Sequence, residues 1–416
     1  MSMPAVAAFA AALQLSTAIA QPASEPSPLS LAEAVLIAGQ TEDPAIGSLR
    51  SRAVALERAG EAAMALPDPT LRVGLANLPL SNLDPNSEAM TQMQVGVRQV
   101  IPSNASRHLQ RERQRAQAQG VLALGGLEQR LITRSVRLAW LEAYYWEQAG
   151  ELTRARREEI RQLSEVATAL FASGRGNSHD VIRVDLETAL LDARQIEIDR
   201  QIGTARAQLA RYVGAAAAGR DMLPRLPVLP ALPGGDEALD ALARHPSVMS
   251  RNARIEASER EIDLALEAYN PVWSVDAGYG VRGSRSDVAS IGVSVQMPIF
   301  SQRRQDESVA GARQMRSAEE LDRRALLLDL RRQLDEDWVR FQRLNETAMI
   351  YETGVLERAR ETTAAVLAAY ENEQADFAEL VRSELALLDI ELTLIRTRVD
   401  ALQAHSRILF LTGDVQ

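Results

Sequence analysis

Two long stretches of this chain, residues 103–171 and 301–370, contain no proline. Both are rich in alanine, leucine, glutamate and arginine, which favour helices. Apolar residues recur every three, four or seven positions, as in coiled-coil seams. At 1.5 Å per residue, each helix would be about 100 Å long, which predicts an elongated molecule. The predicted seam residues are Leu124, Leu131, Leu138, Tyr145 and Leu152, with Leu127 and Leu141 in phase, in the first stretch, and Leu327, Leu330, Leu334, Trp338, Phe341, Leu344 and Ala348 in the second.

The chain also repeats itself with a period of about 200 residues. The matching segments are Asp43-Pro44 with His245-Pro246, Val95-Gly96-Val97 with Ile291-Gly292-Val293, Trp140 with Trp338, and Tyr212-Val213-Gly214 with Leu411-Thr412-Gly413. A proline-rich segment separates the two copies and is expected to be extended. The predicted organisation is a signal peptide (1–20), a first repeat (21–222), a linker (223–235) and a second repeat (236–416).

Each repeat is predicted to contain the same elements. A helix near 31–65 or 236–267 is followed by two strands, the long helix, a turn, and a last helix near 180–213 or 377–411. The strand segments, 71–76, 92–98, 273–282 and 291–299, alternate apolar and polar residues, which is typical of transmembrane β-strands. A half-buried soluble sheet gives the same pattern, but four such strands in two hairpins favour a membrane barrel. Because four strands cannot close a barrel, several copies must combine their strands.

The composition restricts the other possibilities. The chain has no cysteine, which excludes disulfides and thiolate metal sites, and its net charge of −10 argues against nucleic-acid binding. An apolar N-terminal segment ends in Ala18-Ile19-Ala20, which predicts a secretory signal. No later segment has the roughly 18 unbroken apolar residues of a transmembrane helix. If the protein enters a membrane, we therefore expect it to do so with strands.

The duplicated arrangement of helix, hairpin and long helix pair resembles the TolC-type outer-membrane efflux channels. Within it, the segments at 65–71, 76–79, 90–91 and 95–99, before Pro102, are similar to the heavy-metal (CzcC-like) branch. The resemblance implies a mixed α/β membrane protein, a homotrimer with a twelve-stranded barrel above a long α-helical coiled-coil tunnel. It further implies the outer membrane of a Gram-negative bacterium, with a periplasmic membrane-fusion adaptor and an inner-membrane resistance-nodulation-division pump as partners.

The same resemblance places a gate at the turns between the paired helices. In the family prototype, two acidic residues three positions apart surround the aperture of the second turn. Here Glu379 and Arg382 occupy those positions, which predicts closure by attraction within or between protomers; the alternative is an ordinary solvated pair. The predicted gate consists of Glu379, Arg382, Asp180 and Arg183, and the predicted adaptor-contacting tips of Gly174, Arg175, Gly176, Glu373 and Gln374.

The sequence contains no recognisable set of catalytic residues. We therefore predict that the chain is not an enzyme and binds neither a cofactor nor a metal. Its four histidines are scattered, and Gly278, Gly280 and Gly283 match a dinucleotide-binding pattern without the helix that such a site needs. The leading hypothesis is a passive exit duct, with heavy-metal ions as the expected cargo. Alternatives are a multidrug efflux or type I secretion duct, and a periplasmic coiled-coil structural protein without a pore.

Overall fold

The computed structural model describes residues 27–81, 83–85, 87–174, 177–283, 285–372 and 374–413. The predicted signal peptide lies outside these residues. The first half contains α1 (Leu31–Gln40), α2 (Pro44–Ala62), β1 (Thr70–Ala76), β2 (Gln92–Ile101), α3 (Asn104–Ala172), α4 (Ser178–Val213) and the short α5 (Ala215–Ala218).

The second half has the same order of elements. It contains α6 (Gly235–Ala243), α7 (Pro246–Glu267), β3 (Val272–Val281), β4 (Val288–Gln296), α8 (Gln305–Ile350), a π-helical turn (Tyr351–Val355), α9 (Leu356–Glu371) and α10 (Phe377–Thr412). Residues 223–234 between the halves form neither helix nor strand. The last predicted strand was too long, because β4 ends at Gln296 and not at 299.

The helices predicted at 31–65 and 236–267 are each broken in two. Pro44 and Pro246 occupy the first turn of α2 and α7, where the fixed φ suits a helix and the missing N–H is not needed. The preceding side chains cap the new helices. Asp43 Oδ1 accepts a hydrogen bond from the Ala45 N–H at 2.8 Å, and His245 Nδ1 accepts one from the Ser247 N–H at 3.4 Å. Proline at both positions could have predicted these breaks.

The long helices are confirmed. Helix α3 has 69 residues and is therefore about 100 Å long. It begins after Ser103, whose hydroxyl accepts a hydrogen bond from the Ser106 N–H at 3.0 Å. The second long stretch starts at Gln305, and the π-helical turn interrupts it before it ends at Glu371.

The coiled-coil seam was predicted correctly for α8 and in part for α3. In α8, Leu330, Leu334 and Ala348 are buried and the other predicted positions are half-buried. In α3, Leu141 of the predicted seam is fully buried and the other predicted positions are half-buried, because α3 packs against α1, α2, α4, α7 and α10. Its fully buried residues form a broader surface, which comprises Ile132, Val136, Ala139, Trp140, Leu141 and Ala143.

The core around Trp140 joins the middle of α3 to the N-terminal segment. The indole N–H of Trp140 donates a hydrogen bond to the carbonyl of Leu29 at 3.0 Å, and both side chains are fully buried. Leu229 of the linker packs in the same core. The linker therefore packs against α3.

The four strands form one antiparallel sheet in the order β1-β2-β3-β4. Pairing of β2 with β3 joins the two halves of the chain, and Val97 lies opposite Ala277. Across the described ranges, every helix is too short or too polar to span a membrane.

Candidate functional site

One face of the sheet is apolar and exposed. Leu71, Val97, Ala277 and Ile291 lie in one row across the four strands, because each is the partner of the next. Val73, Val95, Tyr279 and Ala289 form a neighbouring row. Ile291 is 84% exposed and Val73 64%, so nothing in the described chain covers this face. An apolar surface of this extent is typical of a region that contacts lipid or a partner.

The opposite face is polar and built largely from small residues. Arg98 lies 3.5 Å from Asp276 and donates a hydrogen bond to the Ser274 hydroxyl at 2.9 Å. The Ser294 hydroxyl donates to Asp276 Oδ2 at 3.0 Å. The predicted alternation of apolar and polar residues is therefore correct.

The glycines of the dinucleotide-like pattern lie in β3 and the loop after it. Gly278 and Gly280 are on the polar face, and a Cβ at Gly280 would collide with the Gln92 side-chain oxygen. Gly283 has a φ of +50°, which favours glycine. Strand β4 follows this loop, so no helix N-terminus is available for a phosphate. The glycines serve close side-chain packing on the polar face.

Trp273 and Tyr279 lie on the apolar face, where they are 50% and 52% exposed. They are therefore not core residues of this chain. Aromatic residues of this kind are frequent where a membrane meets water.

The sheet has two edges without a partner within the described chain. β1 pairs only with β2, and β4 only with β3. Unpaired edges carry rows of free backbone donors and acceptors that another strand can satisfy. The sheet is thus incomplete along both edges and along its apolar face.

The two helical turns lie together at the far end of the helices. Val181 and Val184 of α4 pack in one apolar cluster with Tyr370, Phe377 and Val381 of the second half. The rings of Tyr370 and Phe377 meet edge to face at 5.6 Å. Burial raises the pKa of the Tyr370 hydroxyl, and the nearby Asp180 carboxylate raises it further.

Helix capping explains how each turn forms. Gly174 follows the end of α3 with a φ of +71°, the usual place for a glycine after a helix. Asp376 begins α10, and its Oδ1 accepts a hydrogen bond from the Glu379 N–H at 2.7 Å. Gln374 is exposed beside it. The other predicted tip residues, Arg175, Gly176 and Glu373, lie outside the described residues.

The predicted gate residues lie on the first turns of α4 and α10. Glu379 and Arg382 are exposed, Arg183 and Asp180 are half-buried, and Asp180 lies 3.8 Å from the exposed His179. In the described part of the chain, no ion pair joins Glu379 to Arg382. The structure of one protomer thus shows no pair between these two charges, and closure of a gate by their attraction stays a prediction.

A ladder of ion pairs between α3 and α10 was not predicted. Arg396 binds Glu142 at 2.9 Å, and Gln403 donates to the same carboxylate at 3.1 Å. Closer to the tip, Arg156 pairs with Glu384 and lies 3.3 Å from Glu391. These three side chains are each only 14% exposed. The partners are more than 200 residues apart, so no local pattern could reveal them.

The histidine and carboxylate side chains of the described residues form no metal-binding arrangement. Among the described residues, no three His, Asp or Glu side chains lie close enough to hold an ion. His245 is buried, which lowers its pKa to about 4, and its ring meets Phe410 at 5.4 Å. His405 bonds the Pro230 carbonyl at 2.7 Å. His245 is thus a buried structural residue and His405 a half-buried one.

No family model and no curated protein matches this sequence. The structure is similar to solved structures. A membrane protein from Pseudomonas aeruginosa superimposes with a TM-score of 0.79 and 16% identity, over 92% of this chain and 90% of that one. The outer membrane protein VceC from Vibrio cholerae gives 0.76 and 14%, over 92% and 96%. The outer-membrane channel OprN gives 0.76 and 17%, over 92% and 90%. The chain therefore has the TolC-like fold of these outer-membrane proteins.

Proposed function

We propose that this chain is one protomer of the outer-membrane channel in a tripartite efflux system. The observation that carries the proposal is the sheet, whose apolar face is exposed and whose two edges are unpaired, at one end of helices about 100 Å long. The similarity to the outer-membrane channel OprN and to the Campylobacter jejuni CmeC outer membrane channel supports it.

The sheet is suited to closure by copies of itself. Because four antiparallel strands alternate in direction, β1 and β4 run in opposite directions, and β4 of one protomer can pair antiparallel with β1 of the next. Three copies then give twelve strands with no free edge, which a membrane requires. The apolar face would contact lipid and the polar face would line the lumen.

The helices would continue the lumen through the periplasm as a passive duct. Its tip, with Gly174 and Gln374 in the turns, would contact a membrane-fusion adaptor, and an inner-membrane pump of the resistance-nodulation-division class would deliver the cargo. The heavy-metal branch resemblance supports metal cargo; a multidrug or type I secretion duct is the alternative.

The purified protein is expected to be a homotrimer in detergent. Three chains of 45.5 kDa, less any cleaved signal, should give a single species after correction for bound detergent, because only a closed ring satisfies the edges of β1 and β4. Light scattering with refractive-index detection measures this mass. A folded monomer with intact strand content would contradict the proposed assembly.

The gate hypothesis predicts that charge changes at the tip increase conductance. If Glu379 of one protomer attracts Arg382 of the next, Arg382→Glu leaves like charges crowded around the axis, and Glu379→Ala removes the attraction. Both variants should exceed the wild type in single-channel conductance in planar bilayers. The difference in conductance between each variant and the wild type should decrease as the salt concentration is raised to about 1 M, because salt screens an exposed pair.

Glu57→Ala is the matched control, because Glu57 is an exposed acidic residue on α2 and is distant in sequence from the tip residues. Conductance equal to the wild type in both tip variants at every salt concentration would show that these charges do not hold the tip closed. The packing of Tyr370 against Phe377 would then be the better candidate.

A further inference from the structure

The four strands contain three charged residues, Arg72, Arg98 and Asp276. All three belong to the polar face, because each lies in a row with other polar-face positions. Arg98 is held by Asp276 at 3.5 Å and by Ser274 at 2.9 Å. One positive charge, on Arg72, is left uncompensated in each sheet.

Arg72 lies in a row that contains no carboxylate. Its strand partner is Gly96, which is followed across the sheet by Gly278 and Ser290. Arg72 is exposed, and within the described residues it makes neither a hydrogen bond nor an ion pair. The cavity beside it, about 140 Å³, is lined by glycines, by Gln92, Gln94 and Ser290 and by apolar residues, with no carboxylate among them. The charge of Arg72 is therefore not compensated within its own sheet.

Assembly would not neutralise Arg72 from the next protomer's sheet. In the proposed barrel, β1 pairs with β4 of the neighbouring copy, and the residues of β4 on the polar face are Val288, Ser290, Gly292, Ser294 and Gln296. None of these is charged, so no register of the pairing supplies a carboxylate from that strand. Three-fold symmetry places the three Arg72 side chains at one height in the lumen.

We propose that Arg72 forms a ring of three positive charges that makes the barrel section of the channel prefer anions. This inference rests on the proposed function. Twelve strands about 4.8 Å apart and tilted by about 40° form a barrel with a backbone radius of about 12 Å, so the lumen inside it is no wider than about the Debye length at 0.1 M salt in any direction from its axis. The ring therefore acts on ions across the whole section, as basic rings do in anion pores. Negatively charged solutes or complexes would pass this level more easily than bare divalent cations.

The test is the permeability ratio of chloride to potassium, from the reversal potential of the purified trimer in a planar bilayer under a KCl gradient at about 0.1 M. Arg72→Gln should lower the ratio by about twofold or more, whereas Arg72→Lys, which keeps the charge, should not change it. Asp276→Asn frees the charge of Arg98 and should raise the ratio. A change in the opposite direction separates charge from general damage to the barrel. All differences should shrink at about 1 M salt.

The outcomes separate this inference from the function on which it rests. A wild-type trimer that conducts, with a ratio unaffected by Arg72→Gln or lowered by Asp276→Asn, overturns the arginine ring alone. Absence of any wild-type conductance overturns the channel and the ring together. If Arg72→Gln fails to form trimers, the proposal is tested by Asp276→Asn and by the salt dependence of the wild-type permeability ratio. Both measurements still depend on fixed charge in the lumen.

Discussion

Val293→Arg is expected to prevent assembly in a membrane, whereas Ser294→Arg should leave assembly intact. Val293 lies on the apolar face, is 63% exposed and stands opposite Val275 near the middle of β4. Arginine on the lipid face of a barrel strand costs about 2–4 kcal/mol near the bilayer midplane. Three-fold assembly applies that cost three times, so the effect on the trimer should be large.

Ser294 is the matched control, because it is the next residue of the same strand and faces the other way. Its hydroxyl donates a hydrogen bond to Asp276, so an arginine there would have a carboxylate beside it. The fraction of trimer in outer-membrane extracts measures both variants. Equal loss of trimer in the two would mean that the two faces of the sheet are wrongly assigned.

Arg156→Met is expected to destabilise the helical part by about 3 kcal/mol. Arg156 is the cation between Glu384 and Glu391, and all three side chains are only 14% exposed. Removing it leaves two carboxylates close together. Arg360, at 3.3 Å from Glu391 and itself 61% exposed, remains a partner of Glu391. The midpoint of thermal unfolding, followed by far-UV circular dichroism, reports the loss.

The effect of Arg156→Met should depend on pH. Burial raises the pKa of Glu384 above its ordinary value of 4.5, against the opposing effect of Arg156. The folded state therefore binds this proton more readily than the unfolded state, and this group's contribution to stability rises as pH falls from the raised pKa toward 4.5. Without Arg156 the pKa of Glu384 should rise further. Lowering the pH should therefore reduce the difference in unfolding midpoint between the variant and the wild type.

Arg161→Met is the control for this experiment. Arg161 pairs with Glu158 and Glu165 on the same helix, but its side chain is 52% exposed, and such surface pairs contribute about 0.2–1 kcal/mol. Equal destabilisation by the two substitutions, or an Arg156→Met effect that is independent of pH, would show that the buried charge network does not hold α3 to α10.

The sequence predicted the sheet and the long helices because both depend on local patterns. Alternation with period two assigns each strand residue to a face, and Val293 and Ser294 were placed correctly from it. The helix at 104–172 follows from the absence of proline and from helix-favouring composition.

The features that the sequence did not reveal depend on tertiary contacts. The seam of α3 was predicted only in part because five other helices pack against α3, so burial does not follow a single stripe. The ion pair of Arg156 with Glu384 joins residues 228 positions apart, and nothing near either residue indicates the other. The exposed positions of Glu379 and Arg382 leave the tip charges as a hypothesis about the assembled trimer.

Single-channel recording of the purified wild-type protein in planar lipid bilayers tests the central claim most directly. The proposed channel predicts discrete current steps that appear when trimer is added, and no such steps with the Val293→Arg variant, which should not assemble. A well-folded wild-type protein that inserts no pores at any salt concentration or voltage would contradict the channel and favour a periplasmic coiled-coil structural protein.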